Sequence, residues 1–297
     1  MAARVAMPPH NESLSGVREL SLPLWIKRRA PESSVLVQIG ANTHRKSYSD
    51  HDPGTLCVSR RWRAVLLEPV PQTFLGLKTT YAGRESERLQ LVNAAVCANK
   101  TADTPAATCS ATASQAMWYV DASNATGNWG TNHSDARCVQ NSGMYGWVNE
   151  IASLNRRYVL GRSYLMGPSR SSTLRCQRCA RLLGRPLPGD CLSRVISDNL
   201  RRADVRCFCL RKELRLAQGE PAVTLLVVDT EGFDLKVLQQ YPFSQLPTWY
   251  VAFEAIHLGR NDYDLAAALL RRHGFVHVRG GPGASVSEWR HNGAPAT

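Results

Sequence analysis

A chain of 297 residues, 43% hydrophobic and 20% charged, has the composition of a globular protein with a sizeable core. That balance excludes a disordered tail protein, a collagen-like chain and a small disulfide scaffold, and no apolar run approaches the roughly 18 residues of a membrane span. Thirty-six lysines and arginines against 24 acids leave a net charge of +12. The stretch 170–215 alone holds 12 bases and 4 acids, so an anion-binding surface, if there is one, belongs there.

Residues 1–33 read as an irregular arm whose apolar patch, 20–26, can dock on the domain after it. The start has no continuous apolar core of a signal peptide, which predicts a cytoplasmic protein. Sequons at Asn11, Asn99, Asn124 and Asn132 leave the secretory pathway open.

From Ser34 a strand–turn–helix alternation begins and predicts one α/β domain over 34–297. Compact apolar runs at 35–39, 64–67, 89–92, 223–228 and 249–253 have the pattern of buried parallel strands. Each ends at glycine or a polar residue: Gly40, Glu68, Asn93, Asp229 and Glu254. Strand ends of this kind line the crevice of an open α/β sheet. Helices are predicted at 233–240, stopped by Pro242, and at 262–273, with acids first, arginines last and Gly274 as breaker. The runs 275–278 and 284–289 around a Gly-Gly-Pro-Gly turn predict a terminal antiparallel hairpin.

Between the third and fourth strands a lobe is predicted at about 97–220. It contains a strand-like run at 117–120 and helical patterns at 145–160, 172–183 and 191–202. Its last part, 185–220, is a basic, cysteine-containing insertion expected to lie outside the sheet core as a peripheral lobe. Nine cysteines in the chain read mainly as small buried apolar residues. Cys176, Cys179, Cys207 and Cys209 could supply four thiolates to zinc, although the second pair is spaced too closely for a usual knuckle.

The chemistry lies at the strand ends. Gly40 lets the backbone turn tightly, but the Gly-x-Gly-x-x-Gly fingerprint of a pyrophosphate loop is missing. Glu68 can accept both hydroxyls of a ribose. Together they suggest a nucleoside site without phosphate grips, which suits S-adenosylmethionine. Asp229, Glu231 and Asp234 put three carboxylates within six residues. Asp234 reads as a first-turn helix acid, leaving Asp229 and Glu231 for function. Glu254 and His257 follow the fifth strand.

In order along the chain stand Gln38-Ile39-Gly40-Ala41-Asn42, Glu68-Pro69-Val70-Pro71, Asn93-Ala94-Ala95-Val96, Val228-Asp229-Thr230-Glu231-Gly232-Phe233-Asp234 and Phe253-Glu254. This series resembles the FkbM-type methyltransferases over about 34–182 and 221–279. The resemblance implies a class I methyltransferase Rossmann-like open sheet of seven strands, and O-methylation of a hydroxyl on a small molecule or sugar. By position it implies that Gln38, Gly40 and Asn42 line the methionine end of the cofactor, Glu68 its ribose, and Asn93 and Ala94 its adenine. Asp229 and Glu231 then face the methyl-transfer zone, with Glu254 and His257 opposite, and His257 competes with the acids as base. A divalent metal held by Asp229, Glu231 and Glu254 is compatible with the same donors. Gln38 stands where related enzymes commonly carry an acid. Two rival readings are a non-catalytic binding protein on the same sheet and, less favoured, a nucleic-acid methyltransferase. The basic segment has Phe208 alone for base stacking.

Overall fold

The computed structural model describes residues 22–29, 34–42, 53–84, 87–97, 113–121, 151–154, 199–214 and 223–294, with scattered positions between 156 and 197. The four sequon asparagines and Cys176, Cys179 and Cys191 lie outside them.

Seven strands form one sheet. They are β1 (Val35–Ile39), β2 (Arg63–Leu67), β3 (Leu89–Val92), β7 (Val223–Val228), β8 (Thr248–Phe253), β9 (Phe275–Arg279) and β10 (Ser287–His291). Their order across the sheet is β3-β2-β1-β7-β8-β10-β9. The first five are mutually parallel, while β10 runs antiparallel to both β8 and β9. Successive side chains of a strand face opposite ways, so each buried strand feeds two cores. Val37 and Ile39 of β1 join Leu226, Val228, Val251 and Phe253 on one face. Leu36 joins Leu66, Leu225, Val227 and Tyr250 on the other. Both faces are covered, which is why the parallel strands read as unbroken apolar runs rather than alternating ones.

Helices cover the two faces. On one lie α5 (Asp234–Gln240) and α6 (Arg260–Arg272). The buried positions of α6, Tyr263, Ala266, Ala267 and Leu270, follow helical spacing. The other face carries α1 (Leu22–Lys27), α2 (Pro53–Ser59) and α3 (Pro71–Thr80), the last opened by Pro71. The predicted docking patch of the arm is α1: Leu22, Trp25 and Ile26 are buried, and the Trp25 ring lies 4.8 Å from that of Tyr250. Among the described residues no helix is long and apolar enough to cross a membrane.

The lobe departs from its sequence reading. A second, antiparallel sheet has the order β5-β4-β6, from β4 (Ser114–Val120), β5 (Ala152–Ser153) and β6 (Leu200–Arg206). Where the sequence predicts helices at 145–160, 172–183 and 191–202, the described parts are mixed: 156–157, 159–160, 177–178, 180–181 and 196–197 are helical, while β5 and the start of β6 are strand. The reason is pairing: β4 bonds β6 in register from Ser114 opposite Arg206 to Val120 opposite Leu200. Ala203, Val205 and Cys207 turn inward, while Arg202, Asp204 and Arg206 point outward, a period of two.

The insertion is not peripheral either. The seven-stranded sheet is complete without it, yet Phe208, Leu210 and Leu214, the last two belonging to or flanking the short α4 (Leu210–Glu213), are buried in the main core. Ala95 after β3 exchanges backbone hydrogen bonds with this segment: its N–H donates to Arg206 O at 2.9 Å, and its carbonyl accepts the Phe208 N–H at 2.7 Å. A disulfide joins Cys97 to Cys207, and Cys209 is disulfide-bonded too. The thiolate-zinc reading therefore fails, because a sulfur committed to a disulfide is not a thiolate ligand. Cys57 keeps a buried thiol.

Candidate functional site

The strand ends are brought into step by backbone hydrogen bonds. The N–H groups of Gly40 and Ala41 both donate to Leu67 O at 2.9 Å, and Asp229 N–H donates to Ile39 O at 2.9 Å. Glu254 N–H reaches Val228 O at 2.9 Å, and Glu68 N–H reaches Val92 O at 3.0 Å. The residues just beyond these strands thus lie along one edge. There they border a cleft of about 710 Å³ at the switch point, where the chain leaves β1 toward β2 while β7 lies on its other side. Gly40, Asn42, Glu68, Ala94, Asp229, Glu231, Glu254 and His257 all line it.

Gly40 is demanded by the neighbouring strand. Its φ is +84°, and a Cβ there would stand 1.7 Å from the Asp229 carbonyl oxygen. Only a residue without a side chain lets the two strand ends approach so closely.

Glu68 is buried, 4% exposed. One carboxylate oxygen accepts the Asn42 N–H at 2.9 Å and the other accepts the Val70 N–H at 2.9 Å. Burial raises its pKa to about 7, opposed by the two backbone donors and assisted by the nearby charge of Asp229.

Two residues that the resemblance assigns to the cofactor do not border the cleft. Asn93 does not border the cleft; its side-chain amide donates to the carbonyls of Glu68 and Pro69 at 2.8 and 3.2 Å, so it holds the Glu68 turn in place. Gln38 does not border it either. Side-chain alternation puts it on the face of Leu36, and its buried Oε1 has no hydrogen-bond partner among the described residues.

Asp234 is more than a helix-start acid. It is fully buried, and its carboxylate accepts the N–H groups of Thr230 at 3.3 Å and Gly232 at 3.1 Å. The side chain therefore ties the 229–233 turn from beneath. Burial, then the charge of Asp229, pushes its pKa to about 8. The spacing of Asp234 to Thr230 and Gly232, four and two residues back, is the signal that could have revealed this role.

Within that turn Glu231 and Gly232 both have positive φ, +57° and +92°. The turn brings Glu231 to the segment after β8. His257 Nε2 stands 3.2 Å from Glu254 Oε1 and 3.5 Å from Glu231 Oε2, and all three side chains are 14–17% exposed. Asp229 is exposed at the cleft border. The opposite wall comes from the lobe, through Met117, Ala152, Ser153 and Leu154. The resemblance to the FkbM-type family also takes in Ile151-Ala152-Ser153-Leu154, but not their place at the cleft, because strand pairing across more than 30 residues puts them there.

The cleft's charge is opposite to the chain's. Glu68, Asp229, Glu231 and Glu254 line it with His257, and among the described residues no lysine or arginine lines it. A net charge of +12 therefore coexists with an acidic cleft. No family model, curated protein or solved structure matches the chain.

Proposed function

We propose that this chain is an S-adenosylmethionine-dependent methyltransferase acting on a hydroxyl oxygen of a small molecule or sugar. The observation that carries the reading is the acidic cleft at the sheet's switch point, with Gly40, Glu68 and the Asp229–Glu231 turn on adjacent strand ends. Its volume of about 710 Å³ lies within the range of small-molecule sites. Four carboxylates, with no lysine or arginine beside them among the described residues, disfavour phosphate-bearing ligands and nucleic acid. The seven-stranded, mostly parallel sheet with its antiparallel end agrees with the class I architecture that the sequence resemblance implies.

The residues present fit the cofactor. Gly40 and Asn42 would hold the methionine end, Glu68 the ribose, and the small side chain of Ala94 would leave room for adenine. The Glu68 carboxylate is already oriented by two backbone donors and retains lone pairs for hydroxyl groups. Bound there, S-adenosylmethionine supplies a methyl group activated as a sulfonium, a cation that acidic walls favour. The chain's own task is then to align a hydroxyl oxygen and take its proton. Glu231 and His257 border the cleft and are able to receive it where no ion occupies their donor atoms, while Glu254 orients the imidazole from 3.2 Å.

Calorimetry and turnover separate these roles. Glu68→Ala should weaken S-adenosylmethionine binding tenfold or more. Glu231→Ala should lower turnover by at least about tenfold with cofactor affinity kept, within the range of acid–base contributions. Equal loss of affinity in both variants would contradict the division of labour.

A further inference from the structure

We infer that Glu231, Glu254 and His257 form a site for one divalent first-row transition-metal ion, with manganese and zinc as the natural candidates. The three residues each offer a donor atom, and those atoms all lie within 4.8 Å of one another. They arrive from two different loops, the 229–233 turn after β7 and the segment after β8, so their convergence is a product of the fold rather than of sequence proximity.

The distances suit an ion. Ligand atoms about 2.1 Å from an octahedral cation stand about 3 Å apart when cis and about 4.2 Å when trans. The two nitrogen–oxygen separations here are 3.2 and 3.5 Å. The donor types narrow the choice: carboxylates suit magnesium and manganese, imidazole suits zinc and iron, and the mixed set points to ions that accept both. The three side chains are 14–17% exposed and border the cleft, so the donors are largely enclosed yet reachable from it. The part such an ion would play, presenting an acceptor oxygen beside the methyl-transfer zone, rests on the methyltransferase reading; the site itself does not.

The test uses the full-length oxidised chain without cofactor, titrated with Mn²⁺ under electron paramagnetic resonance and with Zn²⁺ against a chromophoric chelator. The expected result is one ion per chain with affinity in the micromolar range or tighter, about tenfold or more weaker in both His257→Ala and Glu254→Gln, whose melting temperatures stay close to wild type. No saturable binding of either ion below roughly 1 mM would overturn the proposal, as would binding that both variants leave unchanged. Because the readout is bound metal, the outcomes separate: metal bound without S-adenosylmethionine affinity keeps the site and removes the methyltransferase reading, and the converse result removes the site alone.

Discussion

Gly40 and Asp234 show how single residues hold the acidic edge together. At Gly40 any Cβ would overlap the Asp229 carbonyl oxygen at 1.7 Å, and the +84° φ adds strain of its own. Gly40→Ala should therefore destabilise the fold by about 2 kcal/mol or more, read by denaturant unfolding. An unchanged midpoint would mean that the two strand ends are not packed as described. Asp234 predicts a pH dependence. Its pKa is raised from an ordinary carboxylate value to about 8, so the folded state binds its proton more tightly than the unfolded chain. The resulting stabilisation is fully present below about pH 4 and is lost as pH rises towards 8. Glu68, raised to about 7, adds in the same sense over a narrower window. Asp234→Asn should lower stability, since its amide nitrogen cannot accept the second backbone N–H, and should flatten the decline in melting temperature between pH 5 and 8. An unaltered slope would contradict this. The sequence shows Asp234 as an acid near a helix start but not its burial, because burial depends on what β7 and α5 pack against. Gln38 is misplaced for a related reason: motif position identifies the residue, while strand alternation decides which face it points to.

At the scale of elements, the parallel strands are legible because burial on both faces leaves continuous apolar runs, and α6 because its apolar spacing and Gly274 agree. The lobe is not legible in the same way. Its β6 carries a readable alternation of Ala203, Val205 and Cys207 with charged residues, but the surrounding arginines look equally helical until β4 supplies a partner. The Cys97–Cys207 bridge, spanning 110 residues, cannot be read from spacing. It fastens β6 beside Ala94, Ala95 and Val96, which line the cleft. Replacing both cysteines by serine should cost about 2–5 kcal/mol of stability, measured by chemical denaturation. Replacing residues 186–219 by a short linker removes β6, Cys207 and the buried Phe208, Leu210 and Leu214 together. That deletion should give no soluble folded protein, contrary to what the sequence reading of a peripheral lobe predicts. Recovery of a cooperative melt from the deletion would restore the peripheral reading.

For the whole molecule, charge separates surface from site. Thirty-six bases dominate the composition, and 12 of them cluster in 170–215, yet none of the described ones borders the cleft. Composition therefore points to an anion-binding surface, whereas the fold gathers carboxylates from three strand ends into one acidic recess. The strand-end acids are visible in the sequence because each lies at or just beyond the end of an apolar run. The side of the recess built by the lobe is not, since non-local pairing supplies it. The central claim is that this recess holds S-adenosylmethionine, and calorimetry of the full-length oxidised chain with S-adenosylmethionine and S-adenosylhomocysteine tests it most directly. The account predicts one site per chain with micromolar affinity for at least one of the two, weakened tenfold or more by Glu68→Ala. Absence of micromolar binding to both would contradict it.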